Sequence, residues 1–412
     1  MGRRSMLGAM ATLFAVPACA PRAPEAPLAP RPASGVDMLV AGVRPIAKDR
    51  ALYPVPGRPD RSAIYDDAMA VLVLLRQGRR REAGAVLAAL ADAQLPDGAI
   101  PFNVSLTTEP ANPYVRTGAL AWVGYAAVEY LESAKGGADR DAIIAMAHRL
   151  AAFLLARRID ALPDPRARLV TGGRGVYRYE IASGALRESF VDGERDWVAT
   201  EHNVDAFFFL RALGRISEQR AYASAADEIA ASLVAGAWSE REGQLARGVT
   251  AEGVDAICAL DGASWGGLML LARGDRARAE RSFSTADARY ASSSTRVPHA
   301  RGHKPYARGP LIESYALRSQ TGGRFASAMW DDFATVWPEG SAGVALLAAR
   351  LGRRDRAKEI LARLDALRGA DGSLPTATDA IPTELDTSPS IAGTAWCELV
   401  RHELEGGVGI WI

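Results

Sequence analysis

Acidic and aromatic side chains stand together at the mouths of apolar segments in this 412-residue sequence. The densest group is "DWVATEHNVDAFFFLRALG", residues 196–214, where Asp196, Thr200, Glu201, His202, Asn203 and Asp205 crowd the entrance of an apolar run. Comparable mouths carry Tyr65, Asp66 and Asp67; Tyr114, Arg116 and Trp122; Asp261 and Trp265; and Tyr306, Glu313, Trp337 and Glu339. A carboxyl group in apolar surroundings holds its proton to a higher pH and can deliver it as a general acid, while a neighbouring carboxylate can act as a base. Aromatic rings stack on apolar C–H faces, and hydroxyl groups seek carboxylates, amides and arginine. Acids interleaved with aromatics are the expected lining of a carbohydrate cleft.

Glu201 is the leading candidate for the acid. An apolar shell raises its pKa, whereas the dipole of a helix N-terminus lowers it, so the two effects oppose each other. Asp261 in "LDG" and Glu339 in "PEG" are candidates for the base, and Asp67 is a further catalytic candidate. The plainer reading of each is capping, because Asp and Glu beside Gly at a helix start are ordinary turn chemistry. His202, Asn203, Asp205, Trp197, Trp265, Trp337, Arg116, Tyr114 and Tyr306 are candidates for holding substrate. Trp122, Trp265 and Trp396, among small residues at helical positions, read equally as core. "HARGH" puts His299 and His303 four apart, but its glycine and flanking prolines argue for a loop rather than a metal-binding helix. No metal and no cofactor is expected: no glycine-rich phosphate loop follows a strand.

The elements that must position these residues come in two kinds. "GRRREAGAVLAALADAQLPDGAIP" from Gly78 aligns without a gap with "GRRDRAKEILARLDALRGADGSLP" from Gly352. Apolar residues recur at helical spacing in both, so each is an amphipathic helix ending in a D-G-x-x-P turn. Residues 219–238 and 275–290 carry a similar pattern. Between them lie "YDDAMAVLVLL", "GALAWVGYAAVEYL", "HNVDAFFFLRAL", "GASWGGLMLLA", "GSAGVALLAARLG" and "GTAWCELV", apolar nearly all round and rich in Gly and Ala. Such helices are buried on every side. Strand signals are nearly absent. The alternation predicts an all-α fold, an (α/α)6 barrel of two concentric helix rings, with a possible seventh hairpin marked by "PLIESYAL". The polar mouths then gather at one end.

Basic and acidic residues number 49 and 48, which offers no electrostatic reason to expect a nucleic acid partner. Residues 1–19 have a basic start, a short apolar run and "VPAC", which reads as a signal peptide with a lipobox and Cys19 as the lipidated residue. The proline-rich stretch 20–35 reads as an extended tether, and 36–412 as a single barrel domain. The expected setting is the periplasm, with the chain anchored to a bacterial membrane by lipid. Cys258 and Cys397 have no zinc spacing.

The pattern "YDDAMAVL…TGALAWVGYA…TEHNVDAFFFL…LDGASWGG…VWPEGSAGVAL…GTAW", from about residue 60 to 405, resembles the six-hairpin glycosidase-like superfamily. That resemblance implies hydrolysis of a glycosidic bond by two carboxyl groups. The expectation is an exported glycoside hydrolase acting on a bacterial poly- or oligosaccharide. Two rivals stand beside it: a non-catalytic polysaccharide-binding barrel lipoprotein that assists synthesis or export, and a lyase or sugar epimerase using His202, Arg116 or Tyr114.

Overall fold

The computed structural model describes residues 34–108, 113–133, 139–182, 185–309, 329–381 and 384–411, with backbone alone for 177–189. Contacts divide the chain into a short unit, Met1–Arg31, and a compact unit, Pro32–Ile412, which holds all the described residues. The signal segment with Cys19, most of the proline-rich tether, "PLIESYAL" and Glu313 lie outside the described residues.

Among the described residues, twelve α-helices run through the compact unit: α1 (Gly35–Gly42), α2 (Ile64–Arg76), α3 (Arg80–Asp92), α4 (Thr117–Ser133), α5 (Arg140–Ala156), α6 (Thr200–Ser217), α7 (Arg220–Ala237), α8 (Leu260–Ala272), α9 (Arg276–Arg289), α10 (Pro338–Arg350), α11 (Arg354–Asp365) and α12 (Ile391–Leu404). The all-round apolar helices pack in a cycle. Helix α2 lies on α4, α4 on α6, α6 on α8, α8 on α10, α10 on α12, and α12 returns to α2. Small residues permit the close approach: a Cβ on Gly124 of α4 would stand 2.3 Å from the Phe209 ring of α6.

The amphipathic helices lie on these. Helix α3 packs on α2, α5 on α4, α7 on α6, α9 on α8, α11 on α10, and the N-terminal α1 serves α12. The repeat is structural. Ala83, Val86, Leu87 and Leu90 of α3 are buried, and so are Ala357, Ile360, Leu361 and Leu364 of α11, at the same repeat positions. Gly78 and Gly352 open the two units, and Gly98 and Gly372 turn their ends, at φ 69°, 87°, 93° and 84°, which an L side chain adopts only at a cost. The paired aspartates act alike: Asp97 accepts the Ala99 N–H at 3.0 Å, and Asp371 accepts the Ser373 N–H at 3.1 Å. Helices α1 and α5 were not anticipated from periodicity.

The near absence of strands is corrected. Seventeen strands form seven small antiparallel sheets among the described residues, mostly at the helix entrances. The largest is three-stranded: a hairpin of Gly173–Ala182 and Ala185–Arg195, with Tyr177 opposite Phe190 and Ala182 opposite Ala185, and Val115–Arg116 paired along its first strand. Its "VYRYEIASGALRESFV" does alternate on either side of a Ser-Gly pair, a signal that the dominant helical pattern obscured. The 291–309 segment contains another hairpin, Ala291–Ser293 with Arg301–His303.

Candidate active site

The entrances of the cycle helices meet. Asp66 Oδ1 accepts the Ala392 N–H at 3.2 Å, joining the starts of α2 and α12. The Tyr65 hydroxyl donates to Glu339 Oε1 at 2.6 Å, joining α2 to α10. A Cβ on Gly118 of α4 would meet His202 Cδ2 at 2.5 Å and Asp205 Oδ2 at 3.0 Å on α6. These carboxyl groups lie close together: Glu201, Asp261 and Glu339 all raise the pKa of Asp205, Glu201 and Glu339 raise that of Asp261, and Glu201 raises that of Glu339. Four carboxyl groups from three helices thus share one recess.

Among the described residues, no lysine or arginine forms a salt bridge with any of these four, although ion pairs abound elsewhere. Neither oxygen of Asp205 nor Oδ1 of Asp261 has a hydrogen-bond partner. Burial raises Glu201 to about 7. Burial raises Glu339 to about 8, with Glu201 and Asp66 adding to the rise and the Tyr65 hydroxyl opposing it. Burial, then the neighbouring carboxylates, push Asp205 and Asp261 well above the ordinary range. Like charges without a cation cannot all ionise, so near neutral pH the cluster keeps protons. Glu201 is exposed in spite of being ringed by protein, which marks it as a wall of the recess.

Beneath the acids lies an aromatic bed. Trp396 donates its indole N–H to the Tyr65 hydroxyl at 2.9 Å, so Trp396, Tyr65 and Glu339 form a chain of directed hydrogen bonds. Trp122 lies edge-on to Tyr65 at 5.9 Å and to Trp396 at 5.5 Å. Trp265 stacks in parallel with Trp337 at 6.4 Å. Trp265 is almost wholly buried and belongs to the core, whereas Trp337 is half-buried.

His202 sits beside the acids. Thr117 Oγ1 donates its one proton to the Thr171 carbonyl at 2.8 Å, so its 3.1 Å contact with His202 Nδ1 must be donated by the ring. That leaves Nε2 unprotonated. Burial, with Arg116 nearby, pushes the imidazole down to about 3, so it is neutral. Its ring packs on Trp197 at 5.4 Å. The Arg116 guanidinium lies 4.1 Å from the Tyr114 ring centre and 5.5 Å from that of Trp197. Tyr306 stands apart from this bed, 5.0 Å from Trp330 in a satellite cluster with Phe333, Ile381 and Leu385, although burial and Asp261 raise its pKa.

Two residues anticipated for the site are occupied otherwise. Asp67 is fully buried, accepting the Tyr53 N–H at 2.8 Å and the Ser62 hydroxyl at 2.6 Å, and so pins the preceding strands to α2. Asn203 is fully buried too: its amide accepts the Val170 N–H at 2.8 Å and donates to the carbonyls of Val170 and Ala199, both at 2.9 Å. Their polar groups are spent on backbone. His303 is likewise buried and pairs with Asp287 at 3.4 Å, while His299 lies in the intervening loop. Cys258 and Cys397 are free and buried.

Solved structures with this arrangement of helices share little sequence. A glycosidase in complex with glucose is 13% identical and superposes with a TM-score of 0.61 over 91% of this chain and 96% of its own. The likeness shows a shared fold. A D-mannose isomerase is 10% identical with a TM-score of 0.59 over 90% and 96% of the two chains. The cellobiose 2-epimerase of Bacillus thermoamylovorans B4167 is 10% identical with a TM-score of 0.57 over 89% and 98%. No family model matches the sequence, and no curated protein matches it. Tyr65, named only as a helix-mouth residue, Trp396, read as core, and Trp411 are the residues that the sequence does not single out for the site. Tyr65 and Glu339 are 274 positions apart, a separation that carries no local signal.

Proposed function

We propose that this chain is a glycoside hydrolase whose six helix pairs form an (α/α)6 barrel and whose acid and base are Glu201 and Glu339. The observation that carries the reading is the cluster of carboxyl groups without cationic partners, in which only Glu339 receives a side-chain hydrogen bond from tyrosine. Burial alone orders Glu339 above Glu201. We give more weight to the hydrogen bond. A sugar filling the recess removes the exposure that Glu201 now has and drives its pKa up, while the Tyr65 bond persists and favours the ionised form of Glu339. Glu201 then protonates the leaving oxygen, and Glu339 activates water or attacks the anomeric carbon. Asp205 and Asp261 hold their protons and act as donors to sugar hydroxyls.

The N-terminal 35 residues suit an exported protein tethered by a lipid on Cys19, and the substrate is then a polymer or oligomer outside the cytoplasm. A second reading, isomerisation or epimerisation at a reducing-end sugar, is favoured by one observation: the neutral His202, with Nε2 unprotonated, beside the acid cluster. Residues 34–412 incubated with a panel of bacterial exopolysaccharides, with and without Glu201→Gln, separate the two. New reducing ends that disappear in Glu201→Gln are the expected result. Conversion of free aldoses to ketoses or epimers, lost in His202→Ala with no polymer cleaved, would replace the hydrolase by the isomerase.

A further inference from the structure

Beside the acid cluster opens a cavity of about 520 Å³, lined by Arg116, Arg195, Trp197, Arg247, Thr250 and Asp255, among others. It adjoins the site through Trp197 and Arg116, which pack against and act electrostatically on His202. Arg247 is neutralised by Asp255, at 2.7 Å. Arg116 and Arg195 are not. Among the described residues, neither forms a salt bridge. Arg116 hydrogen-bonds the carbonyls of Val115 and Gly175, at 3.2 and 3.4 Å, and the Tyr114 side chain, and Arg195 Nε donates to the Gly193 carbonyl at 3.2 Å, so no carboxylate is among these partners. Two acids of the same hairpin are engaged elsewhere: Glu194 pairs with Arg157 at 2.7 Å, and Asp192 approaches Arg174 at 3.7 Å. Two cations near enough to disfavour each other's charge are thus held in a partly buried wall. Tyr114 and Trp197 fix the plane of the Arg116 fork. A planar, oriented guanidinium matches a carboxylate, and an indole beside it matches a sugar face.

We infer that this cavity is a subsite for a sugar bearing a carboxylate, a uronic acid residue, held by Arg116 and Arg195 and stacked on Trp197. It deepens the carbohydrate-cleft reading and rests on it: the uronate belongs to the chain whose neighbouring bond reaches the acid cluster.

The test is binding, so that it does not depend on turnover. Glu201→Gln protein is titrated calorimetrically with D-glucuronate, D-galacturonate and D-mannuronate, each beside its neutral hexose, at low ionic strength. At least one uronate is expected to bind roughly tenfold more tightly than its hexose. Arg116→Gln and Arg195→Gln should each abolish that preference, so that the uronate binds no more tightly than its hexose, with melting temperatures showing that both proteins are folded. The inference is overturned if no uronate exceeds its hexose, if the preference survives both substitutions, or if inorganic sulfate binds as tightly as the best uronate. A uronate preference in a protein that hydrolyses nothing would keep the subsite and remove the hydrolase. Hydrolysis of neutral polymers without any uronate preference would do the reverse.

Discussion

At the C-terminal ends of the cycle helices, buried charges are met by opposite charges. Arg76 of α2 pairs with Glu129 of α4, and Arg350 of α10 with Glu403 of α12, both at 2.9 Å. The same two arginines take the carbonyls of the C-terminal tail: Arg76 those of Val408 and Gly409, and Arg350 those of Ile410 and Trp411. The Trp411 N–H donates to the Tyr125 hydroxyl at 2.6 Å, and the indole stacks on Phe208 at 4.4 Å and on Trp122 at 4.6 Å. The N-terminal ends of the cycle helices hold Glu201, Asp205, Asp261 and Glu339, and among the described residues no cation pairs with any of them. One end is built for stability. The other keeps a charge burden that stability alone would remove, and such a burden is a mark of function.

The difference can be broken from either side. The largest effect is expected at the acid end. Glu201→Gln should lower hydrolysis about a thousandfold, measured as reducing ends released, while the protein stays folded by circular dichroism. At the tail end, Trp411→Ala removes a fully buried indole from between two rings and should cost about 3–5 kcal/mol in urea unfolding. Activity at temperatures where the variant is folded should fall less than stability does, because Trp411 meets the aromatic rings Trp122, Trp265 and Trp396 and reaches Tyr65 and Glu339 through them.

Tyr65→Phe sharpens the comparison. It should lower kcat roughly ten- to a hundredfold and move the acidic limb of the pH–rate profile to higher pH. The sign follows from the bond. The hydroxyl favours ionised Glu339, so its loss raises the pKa of that carboxyl, and a higher pH is needed to form the base. Asp67→Asn should cost about 1–3 kcal/mol in stability and leave kcat of the folded enzyme unchanged, since its oxygens serve Tyr53 and Ser62.

Much of the fold was legible because burial on all sides and burial on one side leave different periodicities. The six apolar runs became α2, α4, α6, α8, α10 and α12, and the Gly78 and Gly352 units became matching helices closed by glycines at positive φ. Helix α1 was not legible, since eight residues after a proline-rich stretch carry too little periodicity, and neither were the short strands at the entrances. For the site, position at a helix entrance was enough to bring Glu201, Asp205, Asp261 and Glu339 together. It could not separate them from Asp67 and Asn203, which share the same entrances. Whether an acid faces a recess or a backbone N–H depends on the rotation of its helix, and one residue of rotation, as between Asp66 and Asp67, changes its surroundings. The tail was invisible for another reason: "GVGIW" has no pattern, and its place is set by Arg76 and Arg350 hundreds of residues and dozens of residues away in sequence.

The most direct measurement is the melting temperature of Glu201→Gln against the parent at pH 5 and pH 8. In the folded protein burial raises Glu201 to about 7, against an ordinary value of 4.5. A carboxyl raised in this way binds its proton more tightly folded than unfolded, so stability is fully present below the unfolded pKa and is lost as pH climbs through the folded one. Glutamine removes that loss. The account predicts that Glu201→Gln melts higher than the parent at pH 8 and close to it at pH 5. A variant that melts lower at pH 8 would contradict it, because Glu201 would then be a carboxylate that the fold needs rather than a charge that the fold tolerates.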